Sequence, residues 1–275
     1  KLEKIYQKEL PLGIPEDVYN KVQNKYKRET ISKLMATNKF LFSNINGNGY
    51  LEFTHKQTNL LFILIPEGTF LMGTPSNDFF GKMDEKPQHS VTLDSFLIAK
   101  YEVSQSVWNK FMNFIPGDCV PKSSEHPVYY ISWDEAKGFC DIAELDLPTE
   151  SEWEYSCRAG STSPFYWGGT YNKNYLWCEN DNIRVPQKIG LKTPNNYGLH
   201  DMSGNVSEWC SDFGGQYTSE PKKNPTGPQP QFIPNKVARG GNYESPTGDT
   251  RSAARKFFAT SYKGNVGLRP VYRIN

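Results

Sequence analysis

The sequence has few of the residues that most often announce chemistry. Its five cysteines (Cys119, Cys140, Cys157, Cys178, Cys210) form no CxxC pair, and none follows Cys210. They read as buried free thiols with at most one or two bridges. Its four histidines (His55, His89, His126, His200) show no i, i+4 pairing, which argues against a helical histidine metal site. The longest apolar run, "LLFILI" at 60–65, is far too short to span a bilayer. Charge of one sign is also missing. Thirty-one Lys and Arg face 30 Asp and Glu, so the chain as a whole has no general affinity for nucleic acid.

Hydrophobic residues make up 37% and aromatics 14% of the 275 residues, enough for a packed core and against wholesale disorder. The balanced charge is unevenly spread. From Lys236 onward eight basic residues (Lys236, Arg239, Arg251, Arg255, Lys256, Lys263, Arg269, Arg273) stand against Glu244 and Asp249. The arginines there are read as internal braces as readily as an exposed patch. The chain begins at Lys1 and is read as a processed product whose export signal or lipid anchor has been removed.

Residues 1–58 read as a separate helical and hairpin extension, with 59–275 as the main domain. Pro15 suits a first helical turn, and Val18, Val22, Ile31, Leu34 and Met35 predict one apolar helix face over 14–35. Asn-Gly pairs within 40–53 predict a hairpin, and Pro66-Glu67-Gly68 a second over 60–73. Three amphipathic helices follow. One lies near 104–114, one opens on a capping box at Ser132 and Glu135, and one opens on another at Thr149 and Glu152. Glu150, Glu152 and Glu154 sit in the first turns of the last, where negative charge suits the helix dipole, so they read as structural. The six tryptophans, Trp108, Trp133, Trp153, Trp167, Trp177 and Trp209, read as core. Turn residues dominate beyond 161, with a proline-rich loop at 221–235. Short strands are expected at 237–239, 251–255 and 266–273.

The blocks "IPEGTFLMGTP", "HPVYYISWDEAKGFC", "LPTESEWEYSCRAG", "TPNNYGLHDMSGNVSEWCSD", "ARGGNYES", "RSAAR" and "VGLRP" occur in that order between Ile65 and Arg273. Together they resemble the formylglycine-generating-enzyme (sulfatase-modifying factor) superfamily. The resemblance implies an α+β chain with a C-type lectin-like fold: few short strands, two to three helices and much ordered loop. Family enzymes activate oxygen at copper through two cysteines between the "RGG" and "RSAAR"-like blocks, where a thiolate serves as a soft ligand. Here that interval holds Asn, Tyr, Glu, Ser, Pro, Thr, Gly and Asp. The oxidase expectation fails at its catalytic centre.

A non-enzymatic branch, the variable proteins of diversity-generating retroelements (Treponema variable protein type), carries ligand-binding residues in its last stretch. Adenine-directed rewriting of AAC-type codons yields residues such as Asn, Ser, Thr, Tyr, Asp, Ala and Phe, never Lys, Glu, Gln, Met or Trp. Residues 236–275 resemble such a variable region. Asn242, Tyr243, Ser245, Thr247, Asp249, Ala254, Phe257, Phe258, Thr260, Ser261, Tyr262 and Asn265 are reachable this way, with "RGG", "RS" and "GLRP" as frame. Phe257, Phe258 and Tyr262 are the expected anchors, since aromatics with small polar neighbours make adaptable contact surfaces. Adjacent phenylalanines on a strand point to opposite faces, so at most one is expected to be buried. The resemblance further implies a calcium loop: Asp201, Gly204 and Val206 by carbonyl, and Glu208, an all-oxygen set that suits the ion. The expected protein is therefore a surface ligand-binding module without catalytic residues and without a required cofactor, calcium aside. Its partner would be an unidentified protein or glycan at the cell exterior, and its location secreted or lipid-anchored. The alternative is an oxidase or pseudo-enzyme of the same superfamily with altered metal chemistry.

Overall fold

The computed structural model describes residues 13–78, 80–230 and 234–274. Its mixed α and β architecture agrees with the expected class, with five α-helices among the described residues. In chain order the helices are α1 (Glu16–Val22), α2 (Arg28–Ala36), α3 (Gln105–Met112), α4 (Trp133–Ile142) and α5 (Glu150–Arg158). The strands are β1 (Phe40–Ile45), β2 (Leu51–His55), β3 (Leu61–Ile65), β4 (Gly68–Met72), β5 (His89–Leu93), β6 (Phe96–Ala99), β7 (Ser207–Phe213), β8 (Lys222–Lys223), β9 (Asn235–Arg239), β10 (Arg255–Ala259), β11 (Val266–Gly267) and β12 (Val271–Arg273).

The main sheet has the order β1-β2-β3-β6-β12 and is antiparallel throughout. The run "LLFILI" supplies its central strand, which is why it does not alternate with polar residues. Phe62 and Leu64 pack into one core and Ile63 and Ile65 into a second core on the other face. A strand covered on both faces must be apolar at every position.

Several sequence expectations change. The single helix over 14–35 is two short helices, because Tyr26 turns inward between them and its hydroxyl donates to the Leu64 carbonyl at 2.6 Å. The boundary at 58 does not coincide with a break in the described fold. β2 pairs with β3 across it, and Val22, Ile31 and Leu34 join the core beside Trp108 and Phe139. Residues 1–12 of that extension lie outside the described residues. The hairpin over 60–73 does not form either. β3 has β2 on one edge and β6 on the other, so β4 leaves the sheet at Pro66 and pairs with β5 in a three-stranded sheet, β4-β5-β8.

The capping boxes at Ser132–Glu135 and Thr149–Glu152 both form, with side chain and backbone bonded reciprocally. A third sheet, β10-β9-β7-β11, carries the C-terminal segment. The strand expected at 251–255 falls later, at β10, and 266–273 divides at Leu268-Arg269-Pro270 into β11 and β12, which join different sheets. Residues 231–233 of the proline-rich loop lie outside the described residues. All five cysteines are free and buried. Trp108, Trp153 and Trp209 are fully buried, whereas Trp133, Trp167 and Trp177 are half-buried.

Candidate functional site

The C-terminal segment opens at Gly240 and Gly241, both at positive φ (89° and 68°). A Cβ on Gly241 would lie 2.9 Å from the Asp249 carbonyl oxygen and 2.8 Å from the Thr250 methyl. The turn therefore needs glycine for both conformation and space.

Each arginine of the frame blocks is a buried brace. Arg239 pairs with Glu154 and donates to the Ala254 carbonyl. Arg251 meets Glu85 at 2.7 and 2.8 Å, and Arg255 meets Glu150 at 2.6 and 2.7 Å. Arg269 donates to Glu208 at 2.7 Å and to the Ala99 and His200 carbonyls. The three glutamates of α5 are thus structural, as expected, but their partners are arginines as well as the helix end: Arg273 holds Glu152 at 2.7 Å. In so dry a place the planar guanidinium is suited to two-pronged pairing with a carboxylate. The basic character of the tail is largely spent inside the protein.

The twelve residues singled out between these braces fall into distinct settings. Tyr243, Ser245 and Ala254 are buried. Tyr243 packs edge-on to Tyr129 and its hydroxyl donates to Asn265 Oδ1 at 3.3 Å. Asn242 turns its own loop, its backbone N–H donating to Ser245 Oγ at 3.0 Å. Thr247 Oγ1 lies 3.5 Å from the Cys178 thiol. Asp249 is bridged by Lys82 and Lys256. Burial alone would raise its carboxyl, but hydrogen bonds from the two lysines hold it below the usual range. The bridge ties this loop to β10. On β10 and the turn after it, Phe258 stacks on Tyr262 with ring centres 4.2 Å apart and stands edge-on to Trp209. Phe257 points to the opposite face, against Gly214 and Arg255. Both phenylalanines are half-buried. Ser261 and Tyr262 are exposed, and the Thr260 carbonyl accepts from the Trp133 N–H at 2.9 Å. The aromatic patch is thus the exposed Tyr262 stacked on the half-buried Phe258, with buried Trp209 behind them.

The thiols are scattered. Cys157 faces the Met202 carbonyl and the Ser252 hydroxyl, Cys119 the Pro127 carbonyl, and Cys178 Thr247. Burial pushes Cys157 up to about 11 and raises Cys119, Cys140 and Cys210 as well. Such thiols are poor sources of thiolate near neutral pH.

The loop at 201–208 has an unusual electrostatic setting. Asp201 and Glu208 lie with Glu102 around Arg269, three buried carboxylates and one guanidinium. Burial pushes Asp201 up to about 6 against the pull of the Gly190 N–H, and burial with the charges of Asp201 and Glu208 raises Glu102. Asp201 Oδ1 is buried without a partner, an atom that fits a hard cation. Glu208 fits less well, because it accepts from Arg269 and from Trp153 Nε1 at 2.6 Å. Among the described residues no three His, Cys, Asp or Glu side chains converge in metal-holding geometry. Gly204 is forced, since a Cβ there would lie 1.9 Å from the Trp177 carbonyl oxygen. Glu85 and Glu102, both buried and both central to these clusters, were not singled out by sequence reasoning. Their signal was faint: isolated acids beside residues destined for the core.

Comparison with known proteins places these features. Residues 51–274 match the Sulfatase-modifying factor enzyme 1-like domain. The chain is 29% identical over 245 residues to the formylglycine-generating enzyme of Bos taurus, covering 65% of this chain and 64% of that enzyme. It therefore spans just under two thirds of that relative's length. It is 26% identical over 224 residues to the inactive C-alpha-formylglycine-generating enzyme 2 of Bos taurus, covering 59% of this chain and 73% of the relative. In structure it is similar to Treponema denticola variable protein 1, with a TM-score of 0.65 and 22% identity over 78% of this chain and 96% of that one. That last likeness is one of fold, a C-type lectin-like scaffold. With its ordered blocks, its buried arginine frame and a domain match spanning most of its length, the chain belongs to the sulfatase-modifying factor enzyme 1-like family.

Proposed function

We propose that this chain is a non-enzymatic ligand-binding protein that displays a diversified surface from its last forty residues. One observation carries the reading. The frame blocks of the segment are anchored by buried arginines, while the positions between them hold small polar and aromatic residues and no cysteine. Exposed positions beside a rigid frame can vary at little cost to folding. The contact surface is centred on Phe258, Ser261 and Tyr262, with Thr247, Asp249 and Thr260 beside it, whereas Tyr243, Ser245 and Ala254 support it from below. Its partner is a protein or glycan outside the cell, and the chain is secreted or lipid-anchored. Calcium belongs to the scaffold in this reading, with Asp201 as first ligand and Glu208 sharing its carboxylate between Arg269 and the ion. The test is deep sequencing of the codons for 236–275 across a population of source cells. Differences clustered at AAC-like codons, with "RGG", "RS" and "GLRP" constant, are expected. A uniform stretch would remove the main support.

The second reading, an oxidase or pseudo-enzyme with altered metal chemistry, draws on the 29% identity to a formylglycine-generating enzyme. Oxygen consumption by the purified protein loaded with copper or iron, with a thiol substrate peptide, would favour it.

A further inference from the structure

Between the three-stranded sheet, the start of α5 and the loop around 215–228 lies a cavity of about 400 Å³, whose lining includes neither Phe258 nor Tyr262. Its chemistry-bearing walls are His89, Glu150, Asp212, Tyr217, Lys222 and Arg255. Two of these are spent on each other, since Arg255 pairs with Glu150 and its remaining guanidinium nitrogen donates to the Asp84 and Gly215 carbonyls. His89 holds the Pro87 carbonyl and rests its ring 4.8 Å from that of Tyr217; burial keeps it below its usual pKa and hence neutral.

The other three lack an ion-pair partner or, for Tyr217, any hydrogen-bond partner among the described residues. Asp212 is 3% exposed. One of its oxygens accepts from the Glu150 N–H at 3.0 Å and from the Ser211 hydroxyl at 3.1 Å. Among the described residues no Lys or Arg lies in ion-pair contact with it. Burial, with the negative charge of Glu150, pushes it up to about 7. The Tyr217 hydroxyl is buried without a partner. Lys222 makes no ion pair among the described residues. A buried carboxyl with no cation in contact, Lys236 and Arg273 acting on it only from a distance, and an unmet hydroxyl are costly to maintain in a dry wall, and the volume suits a small molecule.

We propose that this cavity binds a small zwitterion of the free α-amino-acid class, its ammonium group on Asp212 and its carboxylate on the Tyr217 hydroxyl and Lys222. The ammonium supplies the missing countercharge, and the carboxylate accepts the stranded O–H. The inference does not depend on the variability of the C-terminal surface.

The experiment compares 2-aminobutyrate, butylammonium and butyrate by calorimetry on the full chain, with Asp212→Asn and Tyr217→Phe. Aminobutyrate is expected to bind most tightly, and Asp212→Asn to weaken it about tenfold or more, the scale of a charge-assisted hydrogen bond. Asparagine retains a carbonyl oxygen for the Glu150 N–H, so the helix start is preserved. A carboxyl ¹³C titration of the unmutated protein gives a second readout, in which bound aminobutyrate lowers the Asp212 midpoint. Butyrate binding as tightly as aminobutyrate, an unchanged affinity in Asp212→Asn, an unmoved midpoint, or no binding at tens of millimolar would each overturn the proposal.

Discussion

Replacing Glu154 by glutamine strikes the frame where its braces meet. Glu154 is fully buried and accepts from the Gly73 N–H at 2.9 Å, from Arg158 Nε at 2.8 Å and from Arg239. Its carboxyl is held below the usual range: burial opposes ionisation, but Arg158 and Arg239 prevail. Glutamine keeps one acceptor oxygen and turns an N–H₂ toward a guanidinium. Arg239 is then left with Glu150, whose nearest oxygen is 3.4 Å from its Nε. Removing one partner of a buried ion pair costs on the order of 3–5 kcal/mol. For a chain of this size that lowers Tm by roughly 6–20 °C. Calorimetric and urea unfolding at pH 7 measure it. Adding Arg239→Met to Glu154→Gln removes one of the two guanidiniums that lose the Glu154 charge and is expected to recover part of the loss, because the penalty lies in the stranded charge. A loss under about 1 kcal/mol for Glu154→Gln would refute the view that buried arginine braces hold the C-terminal frame.

The exposed surface should behave oppositely: Tyr262→Ala is expected to cost less than about 1 kcal/mol in urea unfolding, and Tyr243→Ala about 3 kcal/mol or more. Asp201 and Asp212, raised to about 6 and about 7, bind protons more tightly folded than unfolded. Their effect is to lower stability as pH rises from about 4 toward 7, by about 1.4 kcal/mol for each tenfold gain in proton affinity on folding. Asp212→Asn should flatten that slope in pH-dependent melts, and an unchanged slope would count against the assignment. Calcium is expected to raise Tm over a chelator control and to suppress the Asp201 part of the slope, with Asp201→Asn abolishing both effects; identical melts would remove the calcium reading.

What could be read in advance was local. The boxes at Ser132–Glu135 and Thr149–Glu152 depend on residues three apart, so their formation follows from the sequence alone. The family blocks carried the class of the fold for a similar reason, as their order is itself sequence. The supposed 60–73 hairpin failed because strand pairing depends on which edges other strands have taken, and β6 arrives only later in the chain to claim one of them. Glu208 had the residue type of a calcium ligand, yet Arg269, sixty-one residues away, and Trp153 claim its carboxylate.

Residue type therefore determined the chemistry on offer: no cysteine in the C-terminal segment, abundant aromatics and small polar side chains, and arginines at set points. Tertiary structure decided which of those groups remain available. Arg251 meets Glu85 across 166 positions and Arg255 meets Glu150 across 105. An ion pair in a dry interior forms only where the fold removes both partners from water together, and no spacing within the chain encodes that meeting.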